Sequence, residues 1–405
     1  MIQIKIGDNM KKYLGFFDYK ESDTFRPTIE SRIHLNYPTS KTICANGIPA
    51  IIEGGWYEDY NQSNEEVNMD NLRIRKLTPC ETWKLMGFDK SDFEKAEKVN
   101  SNTQLYKQAG NSIVVNVLEK ILNNLIDKDE SIKILELFGG IGACSKAFER
   151  LGIEYEIADY VEIDKYAVKS FNAMHDSNFE PQDICDWDKD MRVDLIMHGS
   201  PCQDFSIAGK HAGGDKGSGT RSSLMYETIR IVEKLKPKYV IWENVKNIIS
   251  KKHKHNFDNY IERMKELGYK NYYQVLNAKD YGIPQNRERV FTISIRNDID
   301  KDFNFPKEEE LNIKLKDLLD NDVDEKYYLS DQLNSKIQSQ LKNKKTDCID
   351  LCQWRREGKP REYNEISPTL SARDYKEPRC VQVTNLVKND CGVVVEEEYD
   401  FSDLD

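Results

Sequence analysis

The chain has 405 residues, 39% of them apolar and 32% charged, with a formal net charge of −11. That length suits one large α/β domain and one smaller domain. No apolar run approaches membrane length, so no membrane span is expected, and the amino terminus does not read as a signal peptide. Nine cysteines without paired short spacings predict reduced thiols rather than a disulfide framework.

Residues 1 to 70 carry few readable elements. Arg26-Pro27-Thr28-Ile29 and Tyr37-Pro38-Thr39-Ser40 only loosely echo a later segment, Ser367-Pro368-Thr369-Leu370. The first clear start signal is Thr78-Pro79-Cys80-Glu81: Thr78 caps a helix, Pro79 takes its first position, and Glu81 completes a capping box. Gln104 to Ser112 follows, ending in Gly110-Asn111-Ser112. An amphipathic helix then runs through Val115, Leu118, Ile121, Leu122 and Leu125. A charged linker, 126–131, leads to a strand over Ile132–Leu137 and a turn of small residues, Phe138-Gly139-Gly140-Ile141-Gly142-Ala143. The helix from Cys144 to Leu151 is stopped by Gly152. Small residues let backbone approach a cofactor at a helix N-terminus, and at this point a dinucleotide fits as well as any other nucleotide. Glu162 ends the next strand, Tyr155–Val161. It suits a ribose-binding carboxylate under either cofactor; it and Asp183 could equally be solvated strand-end acids.

Val193–Met197 reads as a buried parallel strand. Gly199-Ser200-Pro201-Cys202-Gln203-Asp204-Phe205-Ser206 is then a loop at its carboxyl end, where ligands of open α/β sheets bind. Cys202 there is either a nucleophile or a small buried thiol. The stretch from Ser206 to Ser223 holds five glycines with Lys210, Lys216 and Arg221, a composition suited to a mobile lid or to a plain linker. Lys238–Trp242 is a further buried strand and delivers Glu243-Asn244-Val245 to the same edge. Tyr281 to Arg289 leads into a last strand over Val290–Ile295; Arg287 and Arg289 supply fixed positive charge there or form a surface ion pair with Glu288.

In this order, Pro201-Cys202, Glu243-Asn244-Val245 and Gln285-Asn286-Arg287-Glu288-Arg289 resemble the signature of the carbon-5 cytosine methyltransferases. The resemblance covers roughly residues 70 to 300 plus 365 to 380. It implies an α/β fold: a Rossmann-like S-adenosylmethionine-dependent methyltransferase domain with a smaller, irregular target recognition domain. It also settles the nucleotide as S-adenosylmethionine. Phe138, Gly139, Gly140, Ile141, Gly142, Glu162, Ile163, Asp183, Ile184, Pro201 and Leu224 would bind it, with Phe138 and Ile163 flanking the adenine and Asp183 and Ile184 receiving its amino edge. Asn111 and Ser112 would complete the pocket.

The chemistry explains the residue types. Carbon-5 of cytosine is too weak a nucleophile to take a methyl group directly. Addition of the Cys202 thiolate at carbon-6 makes the ring enamine-like. A protonated carboxyl at ring nitrogen 3, here Glu243, stabilises the developing charge, so burial is expected to raise its pKa. Arg287 and Arg289 complete the catalytic set. The base must leave the duplex to reach them.

The family's ninth and tenth motifs, matched by Arg75 to Phe88 and by Gln104 to Ser112, precede the glycine turn instead of closing the chain. The expected organisation is a circular permutation: 1–70 part of the recognition region, 71–125 completing the catalytic domain, 126–300 the cofactor-binding catalytic domain, and 301–405 the recognition domain with an acidic tail. Ser367 to Tyr375 resembles the family's Pro-Thr recognition signature. DNA contacts are expected from Gln203, Ser206, Arg221, Thr369 and Arg373. Between Leu341 and Arg379 ten Lys and Arg face seven Asp and Glu, a local basic balance within an acidic whole. No metal site is expected; Cys348 and Cys352 lack nearby histidines, and Lys252-His253-Lys254-His255 reads as solvated surface. The resemblance implies double-stranded DNA as partner, action as a monomer on it, a companion restriction endonuclease where the enzyme is half of such a pair, and a cytoplasmic location. An RNA (tRNA) cytosine methyltransferase or a non-catalytic DNA-binding relative would share parts of the pattern. The long recognition region favours duplex DNA, and the intact Cys202, Glu243, Arg287 and Arg289 favour an enzyme.

Overall fold

The computed structural model describes residues 43–45, 48–50, 72–201, 224–343, 346–352, 354–376, 378–384, 386–388 and 394–396. The chain divides into two units, Met1–Asp70 and Asn71–Asp405. In the first, β1 (Ile43–Ala45) and β2 (Ile48–Ala50) pair antiparallel.

The second unit opens with β3 (Leu72–Lys76), then α1 (Pro79–Lys84), α2 (Lys90–Glu97), α3 (Asn102–Asn111) and α4 (Val115–Leu125). The start of α1 follows its sequence signal. Thr78 Oγ1 accepts the Glu81 amide at 3.1 Å, Glu81 Oε2 accepts the Thr78 amide at 2.7 Å, and Pro79 sits in the first turn. Glu81 does more than the signal says: its carboxylate also takes a two-pronged bond from the buried Arg75 guanidinium, at 2.7 and 2.8 Å. A buried carboxylate and a buried guanidinium thereby satisfy each other across the β3–α1 turn. On α4 the apolar stripe Val115, Leu118, Ile121, Leu122 and Leu125 is wholly buried, and the helix packs against α5 (Ala143–Leu151).

The main sheet uses β4 (Ile132–Leu137), β5 (Tyr155–Val161), β6 (Leu195–His198), β7 (Tyr239–Val245), β8 (Tyr269–Asn277) and, after the short β9 (Gln285–Asn286), β10 (Glu288–Arg296). Helices α6 (Lys165–His175), α7 (Met225–Leu235) and α8 (Lys254–Glu266) lie between strands. The order is β5-β4-β6-β7-β10-β8; β5, β4, β6 and β7 are parallel, and β10 runs antiparallel to both neighbours. Of the parallel strands, β4, β6 and β7 are mostly apolar because both faces are covered, whereas the edge strand β5 carries Glu156 and Asp159. Ile132, Ile134, Leu195, Met197 and Ile241 face one buried layer, and Leu135, Leu137, Ile196, Val240 and Trp242 the other. The carboxyl ends of the parallel strands thus share one edge. Because β10 is reversed, its beginning lies at that edge too, with Arg289 opposite Val245 and Phe291 opposite Glu243.

Several boundaries differ from the sequence reading: β7 begins at Tyr239 and runs on through Glu243-Asn244-Val245, and β10 spans Glu288–Arg296. The strand expected at Val193 begins at Leu195, because the Asp194 carboxylate turns aside to accept the Lys133 amide at 3.1 Å. The helix expected at Cys144 begins at Ala143, directly after the left-handed Gly142.

After α9 (Asp331–Gln338) the chain adds β11 (Cys348–Asp350), α10 (Trp354–Glu357), β12 (Arg361–Tyr363), β13 (Ser367–Pro368) and β14 (Arg379–Thr384), then the paired β15 (Leu386–Lys388) and β16 (Val394–Glu396). A small antiparallel sheet has the order β12-β11-β14-β3, so it draws one strand from before the Thr78 cap. Separately, β13 adds in parallel to β9. Among the described residues no helix is long and apolar enough to cross a membrane.

Candidate functional site

The turn between β4 and α5 sets the site. Phe138 at φ +54° and Gly140 at φ +57° fold the backbone back over the sheet edge. An added Cβ at Gly139 would come within 2.6 Å of the Tyr160 ring, so close approach demands glycine there. At Gly140 the same atom would meet nothing within 4 Å, because this face opens on a cavity of about 540 Å³.

That cavity gathers residues from both ends of the sequence reading. Phe138, Gly140, Ile141, Glu162, Ile163, Asp183, Ile184, Pro201 and Leu224 line it, and so do Asn111 and Ser112. Gly139 lies beneath the turn against Tyr160, and Gly142 caps α5 outside the cavity wall. Glu162 is fixed at the end of β5: its Oε2 accepts the Gly140 amide at 3.1 Å and its Oε1 the Asp164 amide at 2.8 Å. Burial pushes its pKa up against the pull of these amides. Ile163 stands 67% exposed, an apolar side chain on the wall with nothing yet covering it. Lys107 reaches Asp164 at 2.6 Å along the rim.

The same cavity reaches the ends of β6, β7 and β10. Trp242 Nε1 donates to Ser200 Oγ at 3.0 Å, and Asn244 Nδ2 donates to the Ser200 carbonyl at 3.2 Å. Two side chains of β7 therefore pin the turn that ends at Pro201. Glu243, buried, pairs with Arg289 Nε at 2.9 Å. Desolvation raises its pKa and outweighs the attraction of Arg289 and Arg287. Glu288 takes no part: it pairs with Lys246 at 2.8 Å. Arg287 is buried and donates to the carbonyls of Ser112 at 2.7 Å, Gly110 at 3.1 Å and Leu370 at 3.1 Å.

Several expected residues lie elsewhere. Cys202, which follows Pro201 by one peptide bond, lies outside the described residues, as do Gln203, Ser206, Arg221 and the whole glycine-rich stretch. Thr369 Oγ1 donates to the Asn286 carbonyl at 2.6 Å, and Arg373 is exposed; neither lines the cavity.

The sequence reading missed three contributors. Gln285, fully buried, donates to the Leu85 carbonyl at 2.8 Å and accepts the Leu370 amide at 3.2 Å. Tyr160 supports the glycine turn through its hydroxyl, which donates to the Gly140 carbonyl at 2.5 Å. Glu136 lies buried below the turn, accepts the Ser145 amide at 3.0 Å and its hydroxyl, and has its pKa pushed up to about 7 by burial. The first stood inside a quoted motif without a role, and the others carry no motif at all.

A sheet of this order with its nucleotide-sized cavity at the carboxyl edge defines the class: a Rossmann-like methyltransferase fold. The chain belongs to the C-5 cytosine-specific DNA methylase family, whose sequence pattern matches residues 19–127 and 132–398. The cofactor of that family is S-adenosylmethionine. The orphan methyltransferase M.Rho11sI of Bacillus phage rho11s is 37% identical over 172 residues, 42% of this chain and 34% of that protein. The type II methyltransferase M2.ScrFI of Lactococcus lactis subsp. cremoris is 34% identical over 221 residues, 41% of this chain and 61% of that protein. The chain therefore spans between a third and three-fifths of these relatives. A solved structure of a putative DNA modification methyltransferase from an E. coli prophage aligns at TM-score 0.38 and 25% identity, over 44% of this chain and 52% of that one.

Proposed function

We propose that this chain is a sequence-specific DNA cytosine-5 methyltransferase of permuted motif order, acting as a monomer on duplex DNA in the cytoplasm. One observation carries the reading. The buried Glu243–Arg289 pair and the Pro201 turn that precedes Cys202 open on the same cavity as Gly140, Ile163 and Glu162. A group held by the latter three lies within reach of chemistry at the former.

The cavity fits S-adenosylmethionine on its own features. Gly140 leaves a free face at the turn, Ile163 offers an uncovered apolar surface for a purine opposite Phe138, and Glu162 offers carboxylate oxygens to vicinal hydroxyls. Asp183 and Ile184 take the purine's amino edge, and Asn111 and Ser112 close the far wall. When bound, the cofactor supplies an electrophilic methyl group. Replacing Ile163 by Ser removes roughly 1–1.5 kcal/mol of apolar cover. Calorimetry is expected to show S-adenosylhomocysteine binding about tenfold more weakly.

The protein's own part is to activate the base. The Cys202 thiolate adds to carbon-6, and the Glu243 carboxyl gives a proton or hydrogen bond to nitrogen 3, so the electron pair of the carbon-5–carbon-6 bond becomes available at carbon-5. Arg289 orients Glu243. Loss of the carbon-5 proton and departure of the thiolate restore the ring. Gln203, Ser206, Arg221, Thr369 and Arg373 are assigned to DNA contact. A circular permutation is supported by α4 packing on α5, which brings the helix after the tenth motif beside the helix that follows the glycine turn. Relatives include an orphan and a type II enzyme; a companion endonuclease belongs to the second case.

Trapping tests the reading. DNA carrying 5-fluorocytosine at the target, incubated with the protein and S-adenosylmethionine, is expected to give a covalent complex stable to denaturant. Bisulfite mapping of a plasmid from expressing cells is expected to show one short modified sequence. Absence of both, with S-adenosylhomocysteine still bound, would remove cytosine as the substrate.

A further inference from the structure

Arg287 belongs by sequence to the catalytic cluster, yet its terminal nitrogens are aimed at backbone. One donates to the Leu370 carbonyl, the other to the carbonyls of Gly110 and Ser112. These carbonyls come from two distant stretches. Gly110–Ser112 ends α3 and lines the cofactor cavity, whereas Leu370 starts the segment that carries Arg373.

The junction is closed from other sides as well. The Leu370 amide donates to Gln285 Oε1, so both polar groups of that residue are held by side chains of the β9 turn. The Ser367 amide donates to the Pro284 carbonyl at 2.8 Å, and Ser367 and Pro368 pair with Gln285 and Asn286 as parallel strands. Gly110 packs on the backbone of Ser371 and Ala372. The turn from Ser371 is itself rigid, because Asp374 accepts the Ser371 amide at 3.1 Å and its hydroxyl at 2.7 Å. A guanidinium buried to 3% exposure must keep its acceptors in place, since losing one leaves desolvated charge uncompensated. The three segments are therefore held in one mutual arrangement.

We propose that Arg287 is a positioning residue that fastens the Asn111–Ser112 wall of the cofactor cavity to the Thr369–Arg373 loop, so that occupation of the cavity and engagement of DNA by that loop favour each other. The proposal rests on the function proposed above. It leaves the direct pairing with Glu243 to Arg289 and predicts reciprocal coupling between the two ligands.

Hydrogen exchange on the full chain tests it, with S-adenosylhomocysteine alone as the probe. Peptides covering 111–114 and 369–374 are both expected to exchange several-fold more slowly on binding. Target DNA is expected to tighten S-adenosylhomocysteine about tenfold, within the usual range of such coupling. In Arg287→Lys, whose single ammonium cannot span the three carbonyls, the tightening is expected to fall below twofold and KM for both substrates to rise more than kcat falls. Protection confined to 111–114 in the wild type would overturn the proposal, and that result is decisive even where the variant fails to fold. So would an Arg287→Lys protein that keeps the full coupling. Lost turnover with both affinities and their coupling intact would place Arg287 at the base instead. A wild-type protein that binds neither ligand would overturn the proposed function rather than the junction.

Discussion

Glu243→Gln is expected to lower kcat by about 10²–10³ while target DNA binds within about threefold of wild type. Gln fills the same space and keeps one donor near nitrogen 3, so the pocket survives. What it cannot do is surrender a proton as negative charge develops on the ring, and that interaction exists only in the transition state. Cys202→Ala is expected to abolish both turnover and trapping, since no other step replaces the bond to carbon-6. The pH profile separates the two residues. Cys202 must lose a proton, so turnover rises with pH through the thiol. Glu243 must hold one; burial raises its pKa above the ordinary carboxylate range, and turnover falls as pH climbs past that raised value. The descending limb is therefore expected to vanish in Glu243→Gln and the ascending limb to remain. A descending limb that persists, or a matching loss of DNA affinity, would make Glu243 a structural acid.

How far the chain could be read in advance divides along physical lines. The strand Ile132–Leu137 matches the sequence reading because a mostly apolar run covered on both faces has one interpretation. The α1 cap matches because its signal is local, four residues satisfying one another. That Gly140, Glu162 and Ile163 would share one cavity was legible, since a glycine turn after a strand and an acid ending the next leave marks in sequence. What stayed hidden depends on residues far apart in the chain. Nothing near Gln285 announces the Leu370 amide, and Arg287 carries the same letter as Arg289 although one holds distant backbone and the other a carboxylate. Motif order told that Glu243 and the two arginines share an edge; it did not tell which arginine pairs with that acid.

Gly110→Ala is expected to destabilise the protein by about 3 kcal/mol, a fall in Tm of roughly 4 °C. Helix propensity alone argues for the opposite sign. Gly110 lies in the last turn of α3, where Ala would be favoured over Gly by about 1 kcal/mol. Contact reverses the balance. An added Cβ would stand 2.1 Å from the Ser371 carbonyl carbon, 2.3 Å from the Ala372 nitrogen and 2.4 Å from the Ser371 oxygen. All three are backbone atoms, so no side chain can swing away to make room. Either α3 retreats, drawing Asn111 and Ser112 from the cavity, or the 371–372 backbone retreats, breaking the bond of Leu370 to Arg287. Weaker S-adenosylhomocysteine binding is expected together with the lower Tm, because the same displacement causes both. Thermal melts with and without S-adenosylhomocysteine check this in one experiment: the variant is expected to start lower and to gain less from the ligand than wild type does. A Gly110→Ala protein as stable as wild type, with full ligand stabilisation, would mean that the two backbones are not in contact and that the last turn of α3 holds glycine for no packing reason.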